Sequence, residues 1–247
     1  MTASRRPRKS PAPIEVADRT DDGDGHLDDE GAIASRSLDE LAIFPLPNAV
    51  LLPGGLMPLH VFEPRYRELV RDALAGDRLL AIARLCPGYQ DDYEGRPSVY
   101  PCCGLGRIIA SEETDDGRFL IVVRGLARVV IDRELPPLQP YRQVAARILV
   151  DDTSARPDAV IRGHAQLVAL CERLALALDR GGEQLSALLA ECRGPGTCAD
   201  TIAAALVIDH GERQALLEQL DPADRLDRVS DHVGRLLCQL VPCGVVN

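Results

Sequence analysis

FPLPNAVLLPGGLMPLHVFEPRYRELV, residues 44–70, is the stretch that decides the fold. Its first part is extended, because Phe44 and Leu46 stand two residues apart, as side chains on one face of a strand do. Pro45 and Pro47 remove backbone donors, so we expect this strand to lie at a sheet edge or to end early.

A turn, a second strand and a helix complete this stretch. Pro53-Gly54-Gly55 predicts the turn, and the alternation of Met57, Leu59 and Val61 predicts the strand. Glu63-Pro64-Arg65-Tyr66 predicts the helix start, because proline suits the first helical turn and a carboxylate is favourable near the N-terminus.

The rest of the segment 40–152 is typical of short strands with bends. The apolar run 79–86 predicts a strand, and the polar segment 89–101, rich in Tyr, Asp and Pro, predicts a loop. Asp116-Gly117 is a strong hairpin turn motif, and Gly125 interrupts the strand that follows it, as at a bulge. These spacings predict a small barrel or a strongly coiled sheet that carries one helix, over 64–75.

Residues 155–241 have helical periodicity. In the helix predicted over 157–179, apolar residues recur at alternating steps of four and three, which indicates a packed face. Gly181-Gly182 ends that helix, and Asp221-Pro222 begins the last one. The residues of the predicted face are Val160, His164, Leu167, Cys171, Leu174 and Leu178, widened by Ile161, Val168 and Ala175.

Several motifs, in order along the chain, resemble the N-terminal, substrate-binding domain of the Lon protease family. They are F-P-L-P-N-x-V-x-x-P-G and P-L-H-V-F-E-P-R-Y-R in the opening stretch, DDGRFLIVVRGLARVVI at 115–131, PYRQVAARILVDD at 140–152, and the helical sequence at 199–233. The resemblance covers roughly 40–240. It implies an α+β fold, in which a small PUA-like coiled sheet or pseudo-barrel with one helix precedes an α-helical bundle.

The resemblance also implies a division of the chain. We expect a disordered, charged tail over 1–37, a β-rich Lon N-terminal-like domain over 38–153, and a helical subdomain over 154–247. The family motifs mark residues with a structural role, not a catalytic one: Pro45, Pro53, Gly54, Glu63, Pro64, Arg65, Tyr66, Gly117 and Gly125.

Lysine content separates this chain from a complete Lon protease. Lys9 is the only lysine. A phosphate-binding loop of the G-x-x-x-x-G-K-[ST] type needs a lysine, and so does a serine nucleophile that is activated by a lysine base. We therefore expect a free-standing, non-enzymatic module without the ATPase and protease domains.

Composition limits the partners. The net charge of −10 argues against nucleic-acid binding, which needs a basic face, and no apolar stretch is long enough to span a membrane. The eight cysteines come without an export signal, so we expect reduced thiols and a cytoplasmic location.

Each motif that could carry chemistry has a simpler interpretation. Cys102-Cys103 lacks the two C-x₂₋₄-C pairs of structural zinc, so free or buried thiols are favoured and no metal is expected. Gly104-Leu105-Gly106 lacks the third glycine of a dinucleotide loop, so no cofactor is expected.

His164 and Cys171 share an apolar helix face, which favours a core histidine over a catalytic pair. The acidic run 18–29 resembles a calcium loop only in part, and a solvated linker is favoured.

Polypeptide binding is the function that this sequence favours. The resemblance implies recognition of unfolded or tagged polypeptides, in protein quality control or as an adaptor. We expect a groove between the sheet and the helices, with the strand near 44–47 and the loop 87–101 as its elements. The alternative is a small-ligand or RNA-binding PUA-like protein, and a third hypothesis is an unrecognised hydrolase. A homodimer is expected if the apolar helix face is left uncovered.

Overall fold

The computed structural model describes residues 38–93, 95–152 and 156–240. The predicted tail 1–37, with its calcium-loop alternative, lies outside the described residues. The strands are β1 Leu38–Leu46, β2 Leu56–Val61, β3 Leu79–Arg84, β4 Cys102–Glu113, β5 Phe119–Glu134 and β6 Arg142–Leu149. The helices are α1 Pro64–Ala75, α2 Pro157–Ala177, α3 Gly182–Glu191, α4 Pro195–Leu206, α5 His210–Glu218 and α6 Pro222–Leu240.

Five strands close into a barrel, and β2 extends it. The order is β2-β5-β4-β3-β1-β6, and a further pairing between β5 and β6 closes the ring. β5 is long enough to pair with β2 along its first half and with β6 along its second half. The chain then continues into helices that pack beside the barrel, so the predicted α+β class, a pseudo-barrel followed by helices, is confirmed.

β1 lies inside the sheet, so the expectation of an edge strand is wrong. It pairs in parallel with β3 and antiparallel with β6. The pairing of β1 with β6 stops at Ile43, which lies opposite Arg142. Pro45, which has no backbone N–H, therefore lies beyond the part of β1 that pairs with β6. β1 ends at Leu46, which agrees with the other expectation, that its prolines make the strand end early. In the described structure, the exposed edge of the sheet is β2.

Two glycines let the segment between β1 and β2 cross the barrel. A Cβ on Gly104 would lie 2.0 Å from the Leu51 carbonyl oxygen, and one on Gly125 would lie 2.1 Å from that of Leu52. The backbone of Gly125 then accepts from Gly54 N at 2.9 Å and donates to Gly55 O at 2.8 Å. This contact explains the bulge predicted at Gly125, since the register of β4 and β5 shifts there.

β3 is buried on both faces and separates two parts of the barrel core. Leu80 and Ile82 face a cluster that includes Leu69 of α1. Ala81 and Ala83 face a second cluster on the other side of the strand. Because both faces are covered, this strand reads as a continuous apolar run.

A buried ion-pair network joins the barrel to the helices. Arg128 of β5 makes a bidentate contact with Asp200 of α4, with Nη1 to Oδ2 at 2.8 Å, and Nε donates to Leu217 O at 3.0 Å. Arg225 of α6 lies 3.3 Å from Asp200 and also binds Asp151. Burial raises the pKa of Asp200, while the Arg128 guanidinium opposes this rise.

The helices follow the predicted pattern, but α2 ends at Ala177, and Gly181-Gly182 begins α3 instead of ending α2. Leu167, Cys171 and Leu174 of α2 are buried in a core that also contains Leu52 of the barrel. Ile161 was placed on that packed face, but 66% of it is exposed. No helix in the described ranges is long and apolar enough to cross a membrane.

We expect Gly125→Ala to lower the free energy of unfolding by about 2–3 kcal/mol, because the added Cβ displaces the Leu52 backbone. Gly234→Ala is the control, since open space surrounds that helical glycine, and we expect it to leave stability unchanged or raise it by up to about 1 kcal/mol. Urea denaturation of both variants checks this. Equal midpoints for the two would contradict the crossing described above.

We expect Arg128→Met to cost about 3–5 kcal/mol of unfolding free energy, because it leaves the buried Asp200 carboxylate without its bidentate partner. Arg147→Met removes the exposed contact with Asp132 and should cost less than about 1 kcal/mol. Chemical denaturation measures both. A similar small loss for the two variants would show that the buried network adds little.

Candidate functional site

A cavity of about 370 Å³ opens at one end of the barrel, between the end of β1, the start of α1 and two loops. Its walls come from segments that are far apart in sequence. The lining residues are Pro45, Arg65, Tyr66, Leu85, Tyr93, Gly95, Arg96, Pro97, Pro137, Gln139, Pro140, Tyr141 and Arg142. The strand end near 44–47 and the loop 87–101, both expected to form a groove, meet here.

Backbone hydrogen bonds hold the loop 87–101 at its base. Cys86 N donates to Ser98 O at 2.8 Å, and Tyr100 N donates to Arg84 O at 2.9 Å. Farther along, Nη1 of Arg142 donates to the Pro97 carbonyl at 2.7 Å. The two ends of the loop are therefore held before any ligand arrives, which lowers the entropy cost of binding.

Arg65 and Tyr93 connect the loop to the start of α1. The Tyr93 hydroxyl donates to Oε1 of Glu63 at 2.9 Å, and Nε of Arg65 donates to Oε2 of the same carboxylate at 3.0 Å. The Arg65 guanidinium also lies over the rings of Tyr66 and Tyr93, at 4.7 and 5.6 Å from their centroids. These contacts give the helix start a second role as a wall of the cavity.

Two buried tyrosines form the aromatic part of this wall. Tyr66 stacks on Phe44 with ring centroids 4.3 Å apart, and burial raises its pKa to about 12. The Tyr141 hydroxyl donates to Oδ2 of Asp72 at 2.6 Å. Burial and this acceptor raise the pKa of Tyr141 as well. Both phenols therefore stay protonated at neutral pH.

A second cavity, of about 540 Å³, adjoins the first and shares Arg65 and Tyr93 with it. Phe62 lines this cavity and is 58% exposed. Together the two cavities form one surface from Phe62 to Tyr141, which we call the loop groove.

The groove predicted between the sheet and the helices also exists, but it is smaller. It encloses about 230 Å³ and contains Arg128, Asp151 and Asp200 of the buried ion network. Since these charges already pair with one another, this cavity offers fewer unused donors than the loop groove.

The predicted family residues fall into three places. Pro45, Arg65 and Tyr66 line the first cavity, and Glu63, Pro64 and Arg65 line the second. Gly54 and Gly125 meet at the barrel crossing, next to Pro53. Gly117 lies in the hairpin turn beside Arg67. Glu63 pairs with Arg65, whose Nη2 lies 3.0 Å from Glu63 Oε2.

Sequence reasoning missed Arg96, Glu134, Tyr141 and Arg142. The only signal for Arg96, Tyr141 and Arg142 was a high content of Arg, Tyr and Pro in the segments 89–101 and 135–142. Glu134, the last residue of β5, had no such signal. Arg96 and Arg142 both bind Glu134, with Nη1 of Arg96 and Nε of Arg142 each 2.8 Å from Oε1. No local pattern links residues 38 positions apart in the chain.

Four of the seven described thiols are buried, Cys86 and Cys192 are half-buried, and Cys238 is exposed. Burial raises the pKa of Cys102 to about 11 and that of Cys103 to about 12. A hydrogen bond with Cys198 lowers the pKa of Cys192 to about 7. Within residues 38–93, 95–152 and 156–240, no three His, Cys, Asp or Glu side chains are placed to hold a metal ion.

Comparisons with known proteins agree with one another. The family model described as the ATP-dependent protease La (LON) substrate-binding domain matches residues 40–235. Lon protease 2 of Myxococcus xanthus is 28% identical over 195 residues, and Lon protease of Paraburkholderia phytofirmans is 32% identical over 206 residues. These alignments cover 79% and 80% of this chain, but 23% and 24% of those proteins. The chain thus spans about a quarter of the length of these curated relatives.

Solved structures show the same fold. The N-terminal domain of Mycobacterium avium complex Lon protease matches with a TM-score of 0.62 at 18% identity, covering 79% of this chain and 98% of that one. A Lon N-terminal domain protein from Xanthomonas campestris matches with a TM-score of 0.55 at 25% identity, covering 77% and 96%.

We expect Arg142→Lys to release the loop 87–101, because a lysine cannot bind the Pro97 carbonyl and both Glu134 oxygens at once. The loss should be about 1–2 kcal/mol of unfolding free energy, with faster amide hydrogen exchange at 95–99. Arg147→Lys, at an exposed pair elsewhere on β6, is the control. Unchanged exchange at 95–99 would show that Arg142 does not fix the loop.

Proposed function

Because the chain belongs to the family of LON substrate-binding domains, we propose that it binds polypeptides in the loop groove without chemical turnover. The observation that carries this proposal is the continuity of the two cavities through Arg65 and Tyr93. A continuous surface accommodates an extended chain, whereas separate pockets accommodate only single groups.

The surface chemistry of the groove supports binding of an unfolded chain. Tyrosine and proline side chains provide flat apolar contact, and Phe62 stands exposed at one end. Tyrosine gives large contact area at a low cost in side-chain entropy, and aromatic anchors dominate many protein interfaces. Exposed apolar segments of unfolded polypeptides match this surface.

A non-enzymatic role is supported by the side chains available. Lys9 is the only lysine of this sequence, so neither a lysine-containing phosphate loop nor a serine–lysine dyad is present in it. We extend the proposal to protein quality control, in which this protein holds or delivers polypeptides as an adaptor.

A homodimer is a separate part of the proposal. Ile161 and Leu176 of α2 are 66% and 90% exposed, and a second copy of the chain would cover them.

The RNA-binding alternative remains a prediction. The arginines of the loop groove favour it, while the net charge of −10 opposes it.

The test measures binding of a reduced and S-alkylated, permanently unfolded protein, with the same protein in its native form as the comparison. We expect the unfolded form alone to bind, and Phe62→Ala to weaken its binding at least about fivefold. Fluorescence anisotropy provides the dissociation constants.

Ile208→Ala is the matched control, because Ile208 is a large exposed apolar residue outside both the loop groove and the proposed dimer contact. We expect it to leave binding unchanged. Equal binding of the native and unfolded forms, or an equal loss in the two variants, would argue against the loop groove as the site.

A further inference from the structure

The first cavity of the loop groove, between the end of β1, the start of α1 and two loops, is cationic in an acidic protein. The chain has 38 acidic residues against 28 basic ones. Among the described residues that line this cavity, however, three are arginines, Arg65, Arg96 and Arg142, and none is acidic. Glu63 and Glu134, which pair with these arginines, are not among those lining residues.

Two of these guanidinium groups share one carboxylate. Arg142 binds Glu134 in a bidentate manner, with Nε to Oε1 at 2.8 Å and Nη2 to Oε2 at 2.9 Å. Arg96 approaches the same Oε1 through Nη1 at 2.8 Å. Because one negative charge faces two positive ones, this side of the cavity keeps an excess positive charge.

Arg96 has hydrogen-bond donors left for a ligand. Its side chain binds Glu134 and the Leu135 carbonyl through Nη1 alone, and none of the described residues accepts from its Nη2 or Nε. The side chain lines the cavity and is 37% exposed. Partly exposed guanidinium donors are well suited to planar, anionic acceptors.

Tyr66 adds a neutral donor to the same cavity. No described residue forms a hydrogen bond with its hydroxyl, although the ring is buried against Phe44. The raised pKa of Tyr66 keeps the hydroxyl protonated at neutral pH. The cavity therefore combines a phenol donor with a guanidinium donor.

We infer that this cavity binds an acidic side chain of the polypeptide, held by Arg96 and Tyr66, with the neighbouring apolar residues of that polypeptide against Leu85, Pro45 and Pro97. The inference rests on the proposed function and names the class of segment it selects: apolar segments that contain Asp or Glu. A guanidinium matches the geometry of a carboxylate, and the same positive charge disfavours Lys and Arg at that position.

The test compares three peptides by isothermal titration calorimetry with the full chain at physiological ionic strength. The glutamate peptide is acetyl-GSLELSG-amide, and its matches carry glutamine or lysine at the central position. Amidation removes the terminal carboxylate as a competing source of negative charge. We expect the glutamate peptide to bind at least about tenfold more tightly than the glutamine peptide, and the lysine peptide to bind most weakly.

Arg96→Gln is the variant that tests the site. We expect it to reduce the preference for glutamate over glutamine to less than about threefold. Its thermal midpoint should stay close to that of the unmodified chain, since Arg142 retains both contacts with Glu134. Arg147→Gln removes an exposed arginine elsewhere on the barrel and should leave the preference intact.

The possible outcomes distinguish this inference from the proposed function. Equal affinity for the glutamate and glutamine peptides, or no detectable binding of either, overturns the inference, while binding of the unfolded protein would still support the proposed function. Loss of both kinds of binding overturns both. The inference is also overturned if peptides with a free C-terminus bind equally well with glutamate and with glutamine at the central position. It is overturned as well if a uridine oligonucleotide binds through Arg96 more tightly than the glutamate peptide does.

Discussion

The close approach of two backbone segments inside the barrel is the constraint on which the rest of the structure depends. The chain between β1 and β2 passes Gly104 and Gly125 at distances that allow no Cβ. After this crossing, the Gly54-Gly55 turn is bonded to Gly125, which places β2 along the first half of β5. Because α1 follows β2 directly, the same contact sets the position of Arg65 and Tyr66 at the mouth of the cavity.

The helical part is attached to the barrel by both apolar and ionic contacts. Leu52 joins the core of the helices, and Arg128 pairs with Asp200 in the same region. Apolar burial stabilises many relative positions of two packed surfaces, whereas a bidentate ion pair requires one orientation. The buried charges are thus better understood as fixing the arrangement than as a large source of stability, since desolvation offsets much of their attraction.

The loop groove combines a rigid frame with an incomplete balance of charge. Backbone hydrogen bonds and Arg142 hold the loop, so little ordering remains for a ligand to cause. At the same time, the single negative charge of Glu134 neutralises only one of the two arginine charges that contact it. A rigid, partly unsatisfied surface is suited to binding short segments of many chains, because selectivity then depends on a few groups in a fixed place.

The sequence by itself determined the local elements and much of the family assignment. Pro53-Gly54-Gly55, Asp116-Gly117 and Glu63-Pro64 predicted the two turns and the start of α1, because these residues restrict their own dihedral angles or complete a helix end. Only the tertiary structure decided that β1 lies inside the sheet and that Ile161 is exposed. It also decided that Pro45, Arg96 and Tyr141 meet at one cavity. The physical reason is that barrel closure and loop packing depend on contacts between distant segments, and these leave no periodic pattern in the chain.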